Sequence, residues 1–119
     1  MDIASDWLKS TQAQLVGLSL NSESEKAIIA AFEICADNPD EAVNLISNII
    51  EQKPNKKLLA CLGAGPIEEL LVKHPDYLNK LMEAIPCHAA LKMCLQHVNT
   101  DEDDAIDKSM LNDFINSPD

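Results

Sequence analysis

The chain has 119 residues, 46% of them apolar, and carries 20 Asp and Glu against 9 basic side chains, all of them Lys, for a formal net charge of -11. Without Arg it lacks the guanidinium fork that grips phosphates bidentately, and a surface this negative repels polyanions. Composition therefore argues against a nucleic-acid binder and for a basic protein as partner, while the longest apolar run, Ala27 to Phe32, falls far short of the roughly 20 residues that cross a bilayer.

Apolar residues recur at intervals of three and four, and no segment alternates with period two, so the expected fold class is all-α. Trp7, Leu8, Leu15 and Val16 predict a first helix over 3–16 that stops near Gly17. Asn21 to Glu25 offer caps for a second helix whose inward face is expected to be Ile28, Ile29, Phe32 and Cys35. Asn38-Pro39 pairs a favoured cap with proline at the first helical position, and a third helix should run to about Gln52, burying Val43, Leu45, Ile46, Ile49 and Ile50. Lys56 to Leu62 reads as a short helix ended by Gly63, with Pro66 starting another whose first turn holds Glu68 and Glu69. Two further helices are expected over 76–85 and 87–98. Beyond the acidic run Asp101-Glu102-Asp103-Asp104, the apolar residues Ile106, Met110, Leu111, Phe114 and Ile115 predict a terminal helix docked by one side. The expectation is one domain over 1–119, six to eight short helices stacked as irregular hairpins, with an acidic stretch and docked terminal helix at 99–119.

The segment Gly63-Ala64-Gly65-Pro66-Ile67-Glu68-Glu69-Leu70-Leu71, followed by His74, resembles the signature of a bacterial all-helical domain family of unknown function. There a small-residue turn leads into Gly-Pro, an aliphatic residue, Glu, an acidic residue and Leu-Leu, after a helix like Leu58 to Leu62 here. The resemblance implies an all-helical fold and brings no catalytic residues with it. On its own chemistry the segment reads as a tight turn, with Gly63 ending one helix and Pro66 starting the next.

No motif names a reaction. Cys35, Cys61, Cys87 and Cys94 contain no Cys-x-x-Cys pair and are expected to be buried, reduced thiols in apolar helices. Cys87 and Cys94 are too far apart along a helix to share an ion, which leaves Cys94 and His97 short of a zinc set. His74, His88 and His97 stand near no recognisable nucleophile. Neither cofactor nor metal is expected, and the protein is read as no enzyme. The N-terminal residues lack the basic start and apolar stretch of a secretory signal, so a cytoplasmic location is expected.

Residues 101 to 119 hold seven acids and one lysine, more than half of the chain's charge imbalance. A solvated helix start accounts for part of it. The sharper expectation is a docking surface of Asp101, Glu102, Asp103, Asp104 and Asp107, with Glu68 and Glu69 as a second patch, facing a basic protein. The candidate function is a bacterial immunity protein that covers a nuclease toxin's positive cleft. The alternative is a helical module that takes a peptide or helix in an apolar groove, its acids serving solubility.

Overall fold

The structure, a computed structural model, describes residues 3–17, 22–98 and 106–117; the side chains of residues 22–24 lie outside what is described. The order is α1 (Ile3–Leu15), α2 (Ser22–Asp37), α3 (Pro39–Glu51), α4 (Lys56–Leu62), a π-helical turn (Gly63–Ile67), α5 (Glu68–Lys73), α6 (Tyr77–Ala84), α7 (His88–Leu95) and α8 (Lys108–Asn116). Among the described residues there is no strand. The fold is all-α.

Most helix boundaries follow the local chemistry. Gly17, at φ 80°, takes the left-handed conformation just past α1. Asn38 caps α3 by accepting from the Glu41 amide, and Pro39 holds the first helical position. Asn55 caps α4 through the Leu58 amide. Core residues from α1 to α8 form one buried cluster around Ile46, Ile49, Leu62, Ile67, Leu70, Leu71, Leu81 and Leu91.

The inward faces of two helices differ from expectation. On α2, Ala27, Ala31 and Cys35 face the core at intervals of four, while Ile29 and Phe32 stand 54% and 38% exposed. Small residues let helices approach closely, so α2 buries its alanines and turns larger side chains outward. On α1, Trp7 is buried but Leu15 is exposed, and Val16, expected in the same helix, lies exposed in the turn after it.

The larger correction concerns residues 56–73. Gly63 does not end a helix and Pro66 does not start one: Leu62, Gly63, Ile67 and Glu68 all have right-handed helical φ and ψ, and the chain runs through without a break. Pro66 has no N–H for the Leu62 carbonyl, and its ring would strike that carbonyl in a regular turn. Widening the turn relieves both problems, and the Glu68 amide reaches back five residues to the Gly63 carbonyl.

Gly63 serves an approach between backbones. A Cβ there would lie 1.8 Å from the Cys94 carbonyl oxygen on α7. At Gly65 the nearest atom would be a Phe32 ring carbon at 3.3 Å, on a half-exposed side chain that has room to swing. Gly63→Ala is therefore expected to destabilise the fold by about 3 kcal/mol, since α7 must move away, whereas Gly65→Ala should stay within about 1 kcal/mol of the parent. Urea unfolding of both variants checks the contrast; equal losses would contradict the account of Gly63.

Candidate functional site

At one end of the molecule three helix starts meet. α3 opens on Asn38-Pro39-Asp40, α6 on Pro75-Asp76 and α8 on Asp107, which caps its helix by accepting from the Met110 amide at 3.0 Å. His74 donates from Nε2 to the Ala36 carbonyl at 2.8 Å and sets its ring edge-on to Tyr77, 5.9 Å between centroids. Tyr77 in turn donates its hydroxyl to Asp40 Oδ1 at 2.9 Å, and Lys80 Nζ lies 5.0 Å from the Tyr77 ring centroid. This chain of contacts ties α6 to the junction of α2 and α3.

Two clefts result. One, of about 330 Å³, is lined by Pro75, Asp76, Leu78, Asn79, Asp107 and Met110. The other, of about 490 Å³, is lined by Asp40, Val43, Asn44, Lys80, Glu83 and Ala84. Together they gather Asp40, Asp76, Glu83 and Asp107 around α6, with Lys80 the one basic group among the described residues that line either. The hydrogen bond to Asp40, with some burial and the charges of Asp40 and Asp76, raises the Tyr77 hydroxyl above its ordinary 10.0.

Of the acids expected to act, Asp107 is exposed and shares its cleft with Asp76. Asp101, Glu102, Asp103 and Asp104 lie outside the described residues. Glu68 and Glu69 are half-buried within the continuous helix, beside α2, where the charge of Glu69 acts on Cys35; neither lines the clefts around α6. Asp40, Asp76 and Glu83 carry no sequence signal for this role, because Asp40 and Asp76 read as ordinary helix starts. The available clue was that Asn-Pro-Asp and Pro-Asp are similar openings, and helices that begin at one end of a domain bring such acids together.

The cysteines divide. Cys35 and Cys94 are buried, and burial pushes each thiol up to about 12, with Glu69 adding to the effect at Cys35. Cys61 is half-buried and raised in the same direction. Cys87 overturns the expectation of burial: it is exposed at the start of α7, beside an apolar cleft of about 240 Å³ formed with Ser47, Ile50, Glu51, Lys53, Ile85 and Pro86. Its position in the Ile85-Pro86-Cys87 connection places it outside a helix interior, where a small hydrophobe would be covered. His88 donates from Nε2 to the Met82 carbonyl at 3.1 Å and meets Phe114 edge-on, and His97 is exposed. Among the described residues no three His, Cys, Asp or Glu side chains are grouped to hold a metal ion, and no helix is long and apolar enough to cross a membrane.

Two outcomes check this geometry. Asp40→Ala, which removes both the acceptor and the charge, should bring the titration of Tyr77, the one tyrosine, down toward its ordinary value in a spectrophotometric titration. The neutral hydroxyl's contribution to stability is present below about pH 10 and lost as pH rises through the raised value, so Asp40→Ala should shift alkaline unfolding. An unchanged titration would separate Tyr77 from Asp40. With a thiol reagent on the folded protein, Cys87 should react first and Cys61 more slowly, while Cys35 and Cys94 react only on unfolding; a fast phase surviving Cys87→Ser would contradict this order.

Residues 20–107 match a family of unknown function, DUF6869, a span that includes α2 to α7 and the Gly63–Leu71 segment. No curated protein and no solved structure matches the chain.

Proposed function

The chain belongs to DUF6869, and on that premise we propose that it is a non-catalytic binding module whose acidic clefts around α6 receive a basic protein. In its finer form the proposal is a bacterial immunity protein seated over the positive cleft of a nuclease toxin. The observation that carries the reading is a gathering of carboxylates that includes one helix formation disfavours. Glu83 stands in the last turn of α6, the end of a helix that disfavours negative charge, and Asp76, at the favoured end, makes no side-chain capping bond that would occupy it. Both face clefts with Asp40 and Asp107. A nuclease cleft must be positive to hold phosphates, so an acidic protein is steered toward it and can occlude it without chemistry of its own.

A second reading, a helical module that takes a peptide or helix in an apolar groove, is favoured by one feature: the cleft of Ile50, Ile85, Pro86 and Cys87. Salt separates the two. The test compares the parent with Asp40→Asn/Asp76→Asn/Glu83→Gln/Asp107→Asn, in which Asn keeps both the cap of α8 and an acceptor for Tyr77. Both proteins serve as bait in lysate of the native cell at low salt and at about 0.5 M, where the Debye length is only a few Å. The expected result is a basic protein held by the parent at low salt, then lost at high salt and lost with the variant. For the finer form, that protein's nuclease activity should fall on adding the parent and not the variant. Retention of the same proteins by the variant, or through high salt, would remove the acidic clefts from the mechanism and point to the apolar cleft.

A further inference from the structure

A second surface lies along α2 and α5. The two helices run side by side in the same direction: Phe32 lies over Gly65, Cys35 feels the charge of Glu69, and the Ala36 carbonyl is held by His74. On their outer side Ile29, Phe32 and Val72 are 54%, 38% and 41% exposed. Ile29 and Phe32 are neighbours one turn apart, and Val72 follows Gly65 by two turns. Single exposed apolar residues are ordinary, but three large ones stand on adjoining helices, with Val72 about 10 Å further along than Phe32 at 1.5 Å per residue, a line that we treat as one ridge. Gly65 adds to it, for its missing Cβ leaves the Phe32 ring lying against bare backbone.

The ridge is rimmed mainly by acids. Glu25, Glu33 and Asp37 are exposed on α2 and Glu68 and Glu69 are half-buried on α5, against Lys26 and Lys73. An apolar centre within a charged rim is the build of a protein interface. The sign of the rim decides the occupant. A second copy of this chain would set Glu25 and Glu33 against acids of the same face, whereas a helix with an apolar stripe and basic flanks matches both parts.

We propose that the ridge of Ile29, Phe32 and Val72 is a docking surface for a basic amphipathic helix of a partner protein. It adds to the acidic clefts and stands on different residues, so either can fail alone.

The test uses a labelled synthetic peptide that forms an amphipathic helix with a leucine stripe and Lys and Arg elsewhere, and a sister peptide with Glu in place of the basic residues. Binding to the full chain is read by fluorescence anisotropy. The basic peptide should bind the parent and lose at least about tenfold in affinity with Ile29→Ser/Val72→Ser, while Asp76→Asn/Asp107→Asn changes it less than about threefold. The replaced side chains are about half in solvent, and an unchanged melting curve confirms the fold. Ile29→Lys/Val72→Lys, a second variant, should weaken binding further by repulsion. Equal binding of the two peptides, no binding at about 1 mM, or loss with the Asp variant alone would overturn the proposal. So would a parent dimer, seen by sedimentation, that Ile29→Ser/Val72→Ser dissolves, since the occupant would then be a second copy.

Discussion

The second half of the molecule hangs on one contact, the backbone of Gly63 against the carbonyl of Cys94. A glycine within a helix forfeits about 1 kcal/mol of propensity relative to alanine. In return α7 comes close enough for Leu59 and Leu62 to share a core with Leu91 and Leu95, all buried. α8 then rests on α7: Lys92, itself buried, donates from Nζ to the Ser117 carbonyl and lies 5.6 Å from the Phe114 ring centroid, and His88 meets Phe114 edge-on. A cation at the C-terminal end of a helix is favoured by the dipole. Position and orientation of α8 thus pass through α7 to a glycine on a helix far from it in sequence.

The π-helical turn solves a register problem in the same rod. Leu62 and Ile67 are five positions apart, which in a regular α-helix puts them about 140° from each other. Both are fully buried here, because the widened turn carries the apolar stripe past Pro66 onto the same side. Gly-Ala-Gly-Pro is locally a strong signal for a break. Leu62, Ile67, Leu70 and Leu71 outweigh it, since breaking the rod would uncover them.

How much of this the sequence discloses depends on whether a feature is local. α3 is legible throughout, from the Asn38 cap to its buried Ile46 and Ile49, because cap, proline and apolar stripe all agree. The face of α2 is not, since reading by hydrophobicity rewards Ile29 and Phe32, while close packing rewards Ala27 and Ala31. The exposure of Cys87 follows from a Pro-marked connection that reads equally well as the start of an apolar helix. Of the candidate site, Asp107 stood out within an acidic stretch, but Asp40, Asp76 and Glu83 join it only through the Tyr77 to Asp40 and His74 to Ala36 bonds, which span 37 and 38 residues.

The gathering of helix starts also sets the strength of the field there. Asp40, Asp76, Glu83 and Asp107 against Lys80 give a formal charge of -3. Each helix start contributes roughly +0.5 from its free amides, so three of them offset about half of it. Asp40 in the first turn of α3, Asp76 at the start of α6 and Asp107 capping α8 each sit at one of those starts. What remains to act at a distance is carried mainly by Glu83, at the end of α6 where the dipole adds to its charge. Formal charge counted along the chain therefore overstates the pull on a cationic surface at this end. Which end of a helix each carboxylate occupies, rather than the number of carboxylates, determines where that pull is greatest.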